Sequence, residues 1–149
     1  MISTQANHAV KVLLLVEDNG ADARLVKEAF RESNIVEDIS VVGDGEEAMM
    51  FLHRTNGYQD APRPSLVLLD LNLPRKDGRQ VLSEINSDRD LKRIPVIILT
   101  SSRAEEDIRT SYELGANCFI TKPLDFAEFT DITRLLAEFW LGVVKLPES

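Results

Sequence analysis

Residues 65–78 have the sequence SLVLLDLNLPRKDG, and this stretch decides the fold. Four apolar residues, Leu66 to Leu69, run without a break and end at one carboxylate, Asp70. A short apolar run bounded by turn residues is typical of a strand that is buried on both faces. Asp70 would then lie at the carboxyl end of that strand, the edge where open α/β sheets bind ligands. An aspartate at such a place can also be a helix cap or a turn former, and this stretch alone leaves both interpretations open.

The order of the remaining segments predicts the fold class. Four more apolar runs indicate strands, at residues 12–16, 39–42, 95–99 and 118–121, and helical patterns of apolar residues follow the strands. Strands and helices alternate, and each parallel crossover needs a helix. We therefore expect an α/β fold with a doubly wound, five-stranded parallel sheet and five helices.

Composition restricts the classes of protein that fit. The chain has 149 residues, which corresponds to one domain, and residues 1–10 indicate a loose leader. The net charge of -8 argues against nucleic acid as a partner, because phosphate contacts need clustered Lys and Arg. No apolar run has the length of a membrane span. A single cysteine, Cys118, excludes an internal disulfide and favours a cytoplasmic location.

Reactive side chains follow the carboxyl ends of four predicted strands. These side chains are Glu17 and Asp18 after the first strand, Asp70 after the third, Thr100 after the fourth and Lys122 after the fifth. In a parallel sheet all of these ends lie at one edge, so we expect three carboxylates, a hydroxyl and an ammonium group to converge. Taken singly, Thr100 could be an ordinary strand-end residue and Lys122 a solvated lysine. Their equivalent positions together favour a functional site.

Three neighbouring carboxylates predict a bound cation. At hydrogen-bonding range they repel one another by about 4 kcal/mol per pair at an effective dielectric constant of 20. Mg²⁺ fits, because it accepts a few carboxylates and leaves positions for phosphate oxygens. A carboxylate beside Mg²⁺ can attack phosphorus and form an aspartyl phosphate. Lys122 would supply a positive charge, and Thr100 a hydroxyl donor, to the phosphoryl oxygens.

At this point the chain resembles a response-regulator receiver domain of the chemotaxis type. The matching motifs are LVEDN at 15–19, LDLNLP-x-x-DG at 69–78, LTS at 99–101 and KP at 122–123. The resemblance covers residues 11–138. It implies a flavodoxin-like sheet with strand order 2-1-3-4-5 and a site between the first and third strands.

The resemblance also implies roles for individual residues. Asp70 would accept a phosphoryl group from a histidine kinase. Mg²⁺ would be bound by Asp18, Asp70 and the backbone carbonyl of Asn72, with Glu17 in the outer shell. Thr100 and Phe119 would form a pair that changes conformation on phosphorylation.

The C-terminal extension, residues 139–149, departs from the family pattern. Its apolar residues exceed what one buried helix face can hide; those assigned to an interface are Phe139, Trp140, Leu141, Val143 and Val144. The extension could fold back on its own sheet or form an exposed patch for a partner. The extension and residues 99–108 together resemble the corresponding parts of single-domain regulators that are paired with bacterial phytochrome kinases. We expect a homodimer through the fourth helix, fifth strand, fifth helix and this extension, with the kinase or a target as the other candidate.

These observations predict a stand-alone response regulator that is a phosphoacceptor and not an enzyme. One alternative is a magnesium phosphohydrolase with an Asp nucleophile, although Asn72 stands where such enzymes usually have a second Asp. A flavodoxin-like cofactor carrier and a phosphorylation-independent adaptor are the others. We further expect a cis Lys122–Pro123 peptide bond, so that Lys122 turns back over the site, and a cap on the fourth helix from Ser102.

Overall fold

A computed structural model of the chain describes residues 12–33, 36 and 38–147. The predicted leader at residues 1–10 lies outside the described residues. Strands form where the apolar runs predict them, to within a residue or two. Their bounds are β1 Val12–Val16, β2 Asp38–Val42, β3 Leu66–Leu69, β4 Val96–Thr100 and β5 Cys118–Thr121.

The helices alternate with the strands. Their bounds are α1 Gly20–Glu32, α2 Gly45–His53, α3 Gly78–Ser87, α4 Glu105–Glu113 and α5 Phe126–Ala137. A short 3-10 helix, Leu91–Arg93, precedes β4, and α5 continues directly into a π-helical segment, Glu138–Val143. None of the helices in the described part of the chain has the length and apolar character that a membrane span requires.

The five strands form one parallel sheet in the order β2-β1-β3-β4-β5, as predicted. Each residue of β1 and β3 is buried, because helices cover both faces of the sheet. Leu14 and Val16 pack with residues of α2 and α3, whereas Leu13 and Leu15 pack with residues of α1 and α5. The two apolar layers fix the register, which brings the ends of β1 and β3 side by side.

Side-chain caps begin most of the helices at the carboxyl edge of the sheet. Asn19, Asp44, Asp77 and Asp125 accept backbone N–H groups of α1, α2, α3 and α5 respectively. The cap expected from Ser102 is absent, so that prediction was wrong. The Ser102 hydroxyl donates to Asp107 instead, and α4 begins after Ala104 without a side-chain cap.

The C-terminal extension combines the two arrangements considered above. Leu141 is fully buried, in the same apolar cluster as Phe129 and Leu136 of α5, and is therefore unavailable to a partner. That burial corrects the assignment of Leu141 to an interface. Phe139 and Val143 are exposed, at 53% and 68%.

Candidate functional site

Backbone hydrogen bonds continue one residue past the strands and bring the predicted side chains to one edge. The Glu17 N–H donates to the carbonyl of Val42, and the Asp70 N–H donates to that of Val16. The Lys122 N–H donates to the carbonyl of Thr100 at 2.7 Å. The site residues are thus held by the sheet, a more rigid support than a free loop.

Glu17, Asp18 and Asp70 form the predicted acidic cluster. One carboxylate oxygen of each lies within 4.8 Å of those of the other two. Glu17 and Asp70 are buried, whereas Asp18 is exposed. A set of two buried carboxylates and one solvated carboxylate suits a hard divalent cation that keeps some of its water ligands.

The Lys122 ammonium group is the centre of the charge network. Its Nζ donates to Glu17 Oε1 at 2.6 Å, to Asp22 Oδ2 at 3.0 Å and to Asp70 Oδ2 at 3.1 Å. Asp22 was not among the predicted site residues. It lies in the first turn of α1, where an acidic side chain stabilises the helix dipole. Because acidic residues are common at that position, the sequence gives no separate sign of the ion pair between Asp22 and Lys122.

The network shifts the pKa values of Glu17 and Lys122. Burial raises the pKa of Glu17 to about 7, against the lowering effects of the hydrogen bond and charge of Lys122, and Asp70 adds to the increase. Burial alone would lower the pKa of Lys122, but the hydrogen bond and charge of Glu17 outweigh it and the pKa is raised. Lys122 is therefore a fixed positive charge, and Glu17 is the group that titrates near neutrality.

Thr100 carries a hydroxyl with no hydrogen-bond partner among the described residues, although it is fully buried. Such orphan hydroxyls are uncommon, because burying an unpaired polar group is unfavourable. A bound phosphoryl oxygen would supply the missing acceptor. Phe119, the other member of the predicted pair, is half-buried against the apolar layer of α2 and α3.

Asn72 lies in the loop that follows Asp70. Its N–H donates to Asp70 Oδ1 at 3.3 Å, and its side chain is exposed. Gly78 closes the loop, because its N–H donates to the carbonyl of Leu71 at 2.8 Å. The loop therefore folds back over the strand end that carries Asp70.

The prediction of a cis Lys122–Pro123 bond was wrong, because all peptide bonds between described residues are trans. Lys122 lies next to the end of β5, with its backbone bonded to β4. From that extended position its side chain reaches Glu17 and Asp70 directly. No reversal of the chain is needed.

Comparison with known proteins gives the family. Residues 13–134 match the response regulator receiver domain. The chain belongs to this family. Residues 11–138, taken as the receiver segment above, enclose the matched region.

Response regulators are similar to this chain over nearly its whole length. Response regulator Rcp1 of Synechocystis is 49% identical over 139 residues, which cover 93% of this chain and 95% of that protein. The crystal structure of the Mn²⁺-bound form of Rcp1 has a TM-score of 0.90 at 48% identity, covering 93% of this chain and 99% of that one. The phosphorylated cyanobacterial phytochrome response regulator RcpA has a TM-score of 0.90 at 49% identity, covering 94% and 100%.

Proposed function

We propose that this receiver domain is a phosphorylation switch of a two-component system, with Asp70 as its phosphoacceptor. The observation that carries the proposal is the arrangement around Asp70. The Lys122 ammonium group lies 3.1 Å from Asp70 Oδ2, and the buried Thr100 hydroxyl has no hydrogen-bond partner within the described part of the chain. The Lys122 ammonium group and the Thr100 hydroxyl could both donate to the oxygens of a phosphoryl group on Asp70.

The chemistry is a transfer from phosphohistidine to a carboxylate. An oxygen of Asp70 forms a bond to phosphorus while the bond from phosphorus to the imidazole nitrogen breaks, and the electron pair of that bond stays on nitrogen. Lys122 and Thr100 then stabilise the phosphoryl oxygens by charge and by hydrogen bonding. Asp70 is regenerated when water attacks phosphorus, the bond from phosphorus to the Asp70 oxygen breaks, and inorganic phosphate leaves.

Mg²⁺ is the cation we assign to the acidic cluster. Asp18, Asp70 and the Asn72 carbonyl would hold it, with Glu17 in the outer shell. When bound, it neutralises part of the negative charge that the phosphoryl group brings. The donor set is all oxygen, which favours Mg²⁺ or Mn²⁺ over Zn²⁺, and the similar protein Rcp1 has a Mn²⁺-bound form.

Incubation with acetyl phosphate and Mg²⁺, followed by intact mass measurement, tests the assignment. The wild type should gain one phosphoryl group, and Asp70→Asn should gain none. Asp60→Asn, at an exposed aspartate, is the matched control and should be labelled like the wild type. Labelling of Asp70→Asn at the wild-type level would reject Asp70. Continuous release of phosphate from several phosphoesters would favour the phosphohydrolase instead.

A histidine kinase of the phytochrome type is the partner we propose. The similarity to RcpA, a cyanobacterial phytochrome response regulator, supports it. So does an exposed apolar pair directly after Lys122 and Pro123, since Leu124 is 92% exposed and Phe126 73%. Both follow the carboxyl end of β5, and Asp70 follows the carboxyl end of β3 in the same parallel sheet. A phosphotransfer screen against the histidine kinases of the source organism would identify the partner.

We also infer a homodimer, formed through α4, β5, α5 and the C-terminal extension. Leu135, Phe139 and Val143 are spaced four residues apart and are 60%, 53% and 68% exposed. These three side chains, the C-terminal stripe, add Leu135 to the interface expected from the sequence. In a two-fold dimer the same stripe on each copy would cover the other.

A further inference from the structure

The loop between β3 and α3, residues 70–77, is fastened to α2 by an ion pair. Arg75 Nη1 donates to Asp44 Oδ2 at 2.6 Å. The side chain of Asp44 is only 4% exposed, whereas that of Arg75 is 65% exposed. The other oxygen of Asp44, Oδ1, accepts the Glu47 N–H at 2.8 Å and caps α2. Arg75 therefore compensates a buried carboxylate whose second oxygen is already occupied.

The backbone at Arg75 has a conformation that is unfavourable for a non-glycine residue. Its φ is +66°, in the left-handed region that favours glycine. The Lys76 N–H donates to the carbonyl of Pro74 at 2.8 Å and closes a tight three-residue turn around Arg75. Non-glycine residues keep such a conformation where their surroundings enforce it. The ion pair with Asp44 is a contact of this kind.

Close backbone packing fixes the same loop at two places. A Cβ atom on Gly45, the first residue of α2, would lie 2.0 Å from the Lys76 carbonyl oxygen. A Cβ atom on Gly78 would lie 2.2 Å from the carbonyl oxygen of Asp70. The loop therefore packs closely against the first residue of α2 at Lys76, next to Arg75. At Gly78 it packs closely against the residue that follows β3. Asn72 lies between these two contacts.

We propose that Arg75 is a positioning residue for the metal and phosphoacceptor site. Its ion pair with Asp44 holds the loop in the shape that keeps Asn72 beside Asp70. Arg75 acts from outside the cluster of Glu17, Asp18 and Asp70. A loop that is already ordered loses less conformational entropy when a cation binds, so the pair raises metal affinity. This inference rests on the metal binding described under the proposed function.

Arg75→Asn tests the inference without changing the backbone requirement, because asparagine tolerates the left-handed region. The divalent ion is Mg²⁺, and its dissociation constant is measured by calorimetry. We expect an increase of about tenfold, the low end of what the loss of a residue supporting a metal ligand produces. Arg75→Lys keeps the positive charge and should recover part of the affinity. Arg89→Asn, at an exposed arginine, is the control and should bind Mg²⁺ like the wild type.

Hydrogen exchange of the metal-free protein gives a second measurement. In Arg75→Asn the amides of residues 71–78 should exchange faster, while those of β1 keep their protection. Exchange and Mg²⁺ affinity equal to those of Arg89→Asn would overturn the inference. Faster exchange throughout β1 and β3 would also overturn it, because that indicates a general loss of stability.

Failure of the proposed function gives a different pattern. In that case the wild type takes no phosphate from acetyl phosphate, yet Arg75→Asn still weakens Mg²⁺ binding and loosens residues 71–78. If instead the wild type is phosphorylated and Arg75→Asn behaves like the control in both measurements, the positioning role alone is wrong.

Discussion

The Nζ atom of Lys122 lies 3.1 Å from Oδ2 of Asp70, across 52 residues of sequence. The same ammonium group also bonds Glu17 and Asp22, so one cation is shared by three carboxylates. It neutralises only part of their charge. The site therefore keeps a net negative charge, which favours a divalent cation, and it also keeps a positive group next to Asp70.

Replacing Lys122 by methionine should destabilise the metal-free protein. Removing one partner of a buried ion pair costs about 3 kcal/mol, because Glu17 and Asp70 remain buried without compensation. Saturating Mg²⁺ should restore part of this free energy of unfolding. Urea unfolding with and without Mg²⁺ measures both effects. Lys92→Met, at an exposed lysine, should change little; equal stability of the two variants would contradict the network as described.

Mg²⁺ affinity should rise with pH through about 7, the pKa of Glu17 in the metal-free protein. Mg²⁺ prefers the ionised carboxylate, so binding should release a proton below that pH. Calorimetry in buffers of different ionisation enthalpy measures the release. Glu17→Gln should abolish this proton release, and proton release that persists unchanged would assign it to another group.

The same pKa predicts how the stability of the metal-free protein depends on pH. The folded state holds the Glu17 proton more tightly than the unfolded chain does, because the pKa of Glu17 in the unfolded chain is 4.5. The resulting stabilisation is complete below pH 4.5 and is lost as pH rises through about 7. Comparing wild type with Glu17→Gln isolates this contribution, since the variant lacks it.

Thr100→Val should stabilise the unphosphorylated protein, although it removes the hydroxyl that would donate a hydrogen bond to the phosphoryl group. The buried hydroxyl has no partner among the described residues, so its removal should raise the free energy of unfolding by about 1 kcal/mol. Thr133→Val is the matched control: that buried hydroxyl donates to the Thr130 carbonyl at 2.8 Å, and its loss should be destabilising. Thermal unfolding of both variants distinguishes them. A destabilised Thr100→Val would show that the hydroxyl has a partner.

Phe139→Glu should weaken self-association. Burial of a charged residue in the C-terminal stripe opposes dimerisation, and a central aromatic contact is commonly worth about 2 kcal/mol. Sedimentation velocity with and without a phosphoryl mimic measures the effect. Val41→Glu, on β2 at the opposite edge of the sheet, should behave like the wild type. A wild type that is monomeric at high micromolar concentration in both states would reject the dimer. Point substitution is preferable to truncation after Glu138, because truncation removes the buried Leu141.

Sequence was sufficient to predict the sheet and most of the side chains that meet at its carboxyl edge, for one physical reason. Both faces of β1 and β3 are covered, so their sequences are continuous apolar runs, and the first polar residue after each run marks the edge of the sheet. That rule located Glu17 and Asp70. Helix capping was equally local and located the beginnings of α2 and α5 at Asp44 and Asp125.

The features that were missed depend on contacts between distant segments. Asp22 bonds to Lys122, 100 residues away, and nothing near either residue in sequence indicates the pair. Leu141 lies in the π-helical segment and is buried in the apolar layer of α1 and α5, and apolar content alone does not predict which side chain of the extension is buried there. Ser102 had the spacing of a cap, but Asp107 offered its hydroxyl a charged acceptor.

The two close glycine contacts limit which substitutions the loop above the site can accept. A library covering every position should lose nearly all variants at Gly45 and Gly78, where even a methyl group meets backbone oxygen at 2.0 and 2.2 Å. Gly43 and Gly20, with no atom within 4 Å of a built Cβ, should accept alanine. Gly43 and Gly45 are only two residues apart in sequence, yet we expect substitutions to be tolerated at Gly43 and lost at Gly45.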